Sequence, residues 1–111
     1  MGNKPIISVL GTRCKPEREE EFNKWYDEIH IPLLFKFPGM TGVKRWKLLN
    51  GNGEYPEYLA LYEFENQGAF EAFQTSLERE VAIKEMDETW KEGKFETIWR
   101  LQYESLKTWQ R

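Results

Sequence analysis

Apolar residues recur along this chain with two periods, and where the period changes the elements change. Pro5 to Thr12 is short, apolar and β-branched, which predicts a strand. Pro16 and the acidic turn Glu17, Glu19, Glu20 then mark a helix start. Phe22, Trp25, Tyr26 and Ile29 follow at the i, i+3, i+4, i+7 spacing of one helical face. Pro32 removes a backbone donor, so the spacing predicts a break near His30. A short second helix then carries Leu33, Leu34 and Phe37 and ends at Pro38-Gly39. Gly42 to Asn50 and Glu57 to Glu65 read as a hairpin joined through Gly51-Asn52-Gly53. Asn66 can cap a helix carrying Phe70, Phe73 and Leu77. Thr75 and Glu78 have capping-box spacing for its continuation through Val81, Ala82, Met86 and Trp90 to a stop at Gly93. The last strand runs from Phe95 to about Leu106.

The order β-α-β-β-α-β defines an α+β, ferredoxin-like (split βαβ) arrangement: a four-stranded antiparallel sheet with helices on one face and strands one and three in the centre. The central strands are apolar on both sides. Tyr58, Ala60, Tyr62 and Phe64 alternate with Leu59 and Leu61, and Ile6 and Leu10 alternate with Ile7 and Val9. The last strand alternates more cleanly, with Phe95, Trp99, Leu101 and Tyr103 opposite Glu96, Arg100, Gln102 and Glu104. A sheet with one wet face should alternate throughout. A single layer of helices covers only one side, so the pattern predicts a homodimer packed sheet to sheet.

The 111 residues fit one domain, spanning 1–111. Five Trp, five Tyr and seven Phe exceed the needs of a small core, which points to an aromatic-lined cavity or interface. A net charge of −3 with interspersed signs gives no field for nucleic acid. The apolar run Ile6 to Leu10 is too short to span a membrane, and a cytoplasmic location is the expectation. The single cysteine, Cys14, excludes an intrachain disulfide. Arg13 and Lys15 beside it could depress its pKa; an ordinary thiol at a strand end is the plainer reading.

Three stretches carry a family signal: WYDEIHIPLLFKFPGM from Trp25 to Met40, the Val43-Lys44-Arg45-Trp46 strand, and EYLALYEFE from Glu57 to Glu65. Together they resemble the dimeric α/β-barrel superfamily, and within it the EthD-like group. The resemblance implies two ferredoxin-like subunits forming a barrel, with a pocket in each. It also implies chemistry of the kind found across that superfamily: isomerases, cyclases and dehydratases, cofactor-free quinone-forming monooxygenases, and some haem proteins.

His30 is the only histidine and the only side chain whose ordinary pKa suits proton transfer near neutral pH. Asp27, three residues earlier, could hold one ring nitrogen and leave the other to move a proton. The alternative is that His30 only closes the helix C-terminus. Related pockets use a histidine in this segment, which the resemblance extends to His30. Arg45 and Trp46, with Lys47, could clamp an anionic or aromatic substrate, or could only protect an edge strand. Tyr58 and Tyr62 share a face, and Trp99 and Arg100 are adjacent, but which of them face a pocket is open because a one-residue slip inverts the answer. No second histidine supports a metal site, and no glycine-rich loop precedes a helix. No cofactor is therefore expected. The expectation is a cofactor-independent isomerase, cyclase or dehydratase acting on a small cyclic or aromatic carbonyl compound. The alternatives are a non-catalytic binder of small hydrophobic ligands and a cofactor-free quinone-forming monooxygenase.

Overall fold

A computed structural model describes residues 4–51, 53–91 and 95–111. The expected helix stop at Gly93 and the middle of the expected turn, Asn52, lie outside the described residues. The strands are β1 (Ile6–Arg13), β2 (Met40–Lys47), β3 (Tyr58–Phe64) and β4 (Glu96–Glu104). The helices are α1 (Glu19–Trp25), α2 (Ile31–Leu34), α3 (Gln67–Phe73) and α4 (Leu77–Thr89). A 3-10 turn (Pro16–Arg18) leads into α1, and a π-helical turn (Tyr26–His30) joins α1 to α2. The sheet order is β2-β3-β1-β4, and every neighbouring pair is antiparallel. This is the ferredoxin-like topology, with β1 and β3 in the centre.

Register settles which side chains share a face. Phe64, Tyr62, Ala60 and Tyr58 pair with Ile6, Ser8, Leu10 and Thr12. Phe64, Tyr62, Ala60 and Tyr58 are all buried, so this side faces the helices. Ile7, Val9, Leu59 and Leu61 therefore point to the other side, which no helix covers and where they are only half-buried. Trp46, Leu59, Gly11 and Trp99 form one row across that open side. Trp46 is 55% exposed there, and Leu101 and Tyr103 on the same side are exposed as well.

Two features depart from the simple periodicities. The register between β1 and β4 shifts at Gly11/Thr12, leaving one extra residue in β4. Such a bulge inverts the alternation beyond it. Phe95, in phase with Trp99 by sequence, instead packs in the core with its ring centroid 4.9 Å from Phe22. The second departure divides the long C-terminal helix. Asn66 caps α3 by accepting from the Ala69 N–H at 2.8 Å, as its position predicts. The cap of α4 is Ser76, one residue after Thr75, with its Oγ accepting from the Arg79 N–H at 3.2 Å. Leu77 is consequently a first-turn residue of α4 and is exposed.

Candidate functional site

The site begins with Pro32. In α-helical register its missing N–H would leave the Glu28 carbonyl without a partner, and its ring would press on that carbonyl. The chain stays helical through this point, with φ/ψ of −65°/−56° at His30 and −61°/−45° at Ile31. It does so by widening one turn, so that the Ile31 N–H donates to the Tyr26 carbonyl five residues back. The expected break is therefore a π turn.

Widening changes which side chains face inward. The α-helical spacing places Ile29 with Phe22, Trp25 and Tyr26, yet Ile29 is 43% exposed and His30 only 6%. One extra residue in the turn advances the buried face from position 29 to position 30. His30 then stacks on Trp25, with centroids 4.6 Å apart and planes at 23°, and meets Tyr26 edge-on at 5.1 Å.

His30 lines a cavity of about 150 Å³ between the helix-covered side of the sheet and α4. Leu10, Leu34, Phe64, Phe73, Met86 and Phe95 supply apolar wall. The Tyr26 and Tyr62 hydroxyls share a buried hydrogen bond of 2.8 Å, and both residues line the same cavity. Burial pushes both phenols up from their ordinary pKa, Tyr62 well above it, so both stay protonated. Only one of the two can donate across the pair, which leaves the other O–H free for a further acceptor. Burial drives His30 the opposite way, from 6.5 to about 4, with the Glu85 carboxylate opposing the change. The imidazole is thus neutral at pH 7, and its Nδ1 is buried without a hydrogen bond among the described residues.

The carboxylate expected behind His30 is elsewhere. Asp27 is exposed, and its Oδ1 accepts from an Arg45 guanidinium nitrogen at 2.9 Å. Arg45 also donates to Asn23 Oδ1 at 2.8 Å and lies 4.5 Å from the Tyr26 ring centroid. The carboxylate nearest in effect is Glu85 on α4, which accepts from Trp25 Nε1 at 2.9 Å. Glu85 thus fixes the indole on which the imidazole stacks. No sequence signal joins positions 25 and 85, which meet only through the packing of α4 across the helix bearing Trp25.

The other expected residues separate. Tyr62 is in the cavity; Tyr58 faces the same side of the sheet but borders a separate surface groove with Arg45, Glu19 and Asn23. The Tyr58 hydroxyl bonds to Glu19 and, at 3.1 Å, to Asn23, and burial with the Glu19 contact pushes its pKa up to about 12. Arg45 and Trp46 do not form one clamp, because adjacent strand residues face opposite sides. Trp46 and Trp99 lie on the open side of the sheet, across it from the cavity, but on opposite edge strands with Leu59 and Gly11 between them. Arg100 is the inward member of its pair and lines the cavity, as does Arg79 of α4. Cys14 is not activated: burial raises its pKa, and Glu57 and Glu19 add to that more than Arg45 offsets. Among the described residues no three His, Cys, Asp or Glu side chains gather to hold a metal ion, and no helix is long and apolar enough to cross a membrane.

This geometry defines a ferredoxin-like α+β protein with an aromatic-lined cavity between its sheet and α4. The chain belongs to the family described as a domain of unknown function, DUF4286, which it matches over residues 6–106. Its fold is similar to that of HapK from Hahella chejuensis, at 13% identity and a TM-score of 0.73, covering 96% of this chain and 97% of that one. An ethyl tert-butyl ether d (EthD) family protein from Bacillus halodurans is similar at 14% identity and a TM-score of 0.64, covering 91% and 99%. A protein of unknown function from Bacteroides fragilis, described as dimeric and ferredoxin-like, is similar at 16% identity and a TM-score of 0.65, covering 95% and 100%. No curated protein matches the sequence. The α+β, ferredoxin-like class expected from the sequence holds, and an EthD-family protein is among the structures that share the fold.

Proposed function

We propose that the protein is a cofactor-independent enzyme of the isomerase, cyclase or dehydratase type, acting by proton transfer on a small cyclic or aromatic carbonyl compound. The observation that carries this reading is the His30 imidazole, buried, neutral and unpartnered at Nδ1 inside a cavity it shares with a phenol pair. An apolar cavity of this size holds one benzene-sized ring. The free O–H of the Tyr26–Tyr62 pair would donate to the carbonyl oxygen and stabilise the enolate as it forms. His30 would take the proton from the adjacent carbon and return it elsewhere. Asp27 has no part in this step. The active form is proposed as a homodimer, with the open side of the sheet against a second copy, which Leu59, Leu61, Trp46 and Trp99 on that side support.

A second reading, a binder without chemistry, is favoured by one observation: among the described residues no carboxylate hydrogen-bonds His30 Nδ1, and the Glu85 carboxylate raises its basicity less than burial lowers it. Exchange of carbon-bound hydrogen in heavy water separates the two. Single-ring ketones incubated with the protein should exchange their α-hydrogens faster than in buffer, and His30→Gln should abolish the gain. Stabilisation of the protein by the same ketones without any exchange would favour the binder.

A further inference from the structure

We propose that Arg79 and Arg100 form a carboxylate subsite at the His30 cavity, so that the ligand is a single-ring carboxylic acid bound as its anion. This rests on the reading of that cavity as the ligand site and names the class of compound it takes. Arg79 comes from α4 and Arg100 from the edge strand β4, and both line the cavity, one from the helix side and one from the sheet side. Arg13, Arg18 and Arg45 each pair with a carboxylate. Arg79 and Arg100 pair with none among the described residues, although acids outnumber Lys and Arg in this chain by 19 to 16. No Asp or Glu lines the cavity among the described residues; its other polar side chains, among them Gln74, Gln102 and Ser8, are neutral.

A largely apolar, open-mouthed space bordered by two cations that form no ion pair among the described residues attracts an anion and repels an amine. Guanidinium groups bind carboxylates through paired, charge-assisted hydrogen bonds, which fix orientation as well as affinity. Arg100 is exposed and Arg79 half-buried, so both mark the mouth, whereas His30 and the Tyr26–Tyr62 pair are buried. A ring entering with its carboxylate trailing would therefore meet the arginines at one end and the proton-transfer groups at the other. A volume of about 150 Å³ suits a single ring, since apolar cavities of that size take benzene.

The experiment compares benzoate, benzamide, acetophenone and benzylammonium by calorimetric titration, with the His30 imidazole NMR signal reporting entry into the cavity. Benzoate should bind at least about tenfold more tightly than acetophenone or benzamide, and benzylammonium should not bind. Arg79→Gln and Arg100→Gln should each weaken benzoate about tenfold or more while leaving acetophenone unchanged, which also shows that the variants remain folded. If acetophenone binds and moves the His30 signal while benzoate binds no better, the carboxylate subsite is wrong and the cavity reading survives. If none of the four moves that signal, both are wrong.

Discussion

Trp25 and His30 stack face to face at 4.6 Å although five residues separate them. On an α-helix such residues lie about 140° apart around the axis, too far to touch. The π turn from Tyr26 to His30 brings them onto one side, and Pro32 explains why the turn is there. A proline with no evident role in chemistry thus carries the only histidine into the core.

Stability should depend on that burial. The folded-state pKa of His30, about 4, lies below its ordinary 6.5, so between those values the unfolded chain binds more protons than the folded one. Stability from this residue is complete above about pH 6.5 and is lost as pH falls through 4. The loss amounts to about 3 kcal/mol. Urea unfolding of the wild type and of His30→Gln between pH 4 and 7 should show a difference that shrinks toward low pH. A constant difference would contradict the assignment.

The phenol pair should behave as a unit. Tyr26→Phe or Tyr62→Phe leaves the remaining buried hydroxyl without its partner and should cost about 1–3 kcal/mol. The double variant should cost less than the sum of the two, because no stranded hydroxyl remains. Simple additivity in denaturant unfolding would show that the hydroxyls do not depend on each other.

The open side of the sheet gives a prediction about assembly. Leu61 lies on central strand β3 and points away from the helices. Leu61→Glu should convert a dimer into a monomer in sedimentation equilibrium without altering the far-ultraviolet circular dichroism. A wild-type protein that sediments as a monomer at micromolar concentration would refute the sheet-to-sheet dimer.

The fold was legible in the sequence because each element announces itself locally. Period-two strands, the Asn66 cap and the acidic start of the first helix are short-range signals, and the two-sided apolar strands showed which elements lie in the centre. The site was less legible because it depends on phase. A π turn shifts the buried face by one residue, so helical spacing selects Ile29 where the fold buries His30. The bulge opposite Gly11 does the same in β4, sending Phe95 inward and Trp99 outward. Asp27 was a reasonable partner by spacing, but Arg45, brought alongside by β2, takes its carboxylate. Glu85, Arg79 and Arg100 reach the site only through long-range packing, which local pattern does not encode.

Because the chain has a single histidine, one imidazole resonance reports on the centre of the site. Its titration by proton NMR should show a midpoint near pH 4, as expected of a ring held out of water beside Trp25. A midpoint near 6.5 would place the ring in solvent and contradict the proposal that His30 works from within a buried cavity.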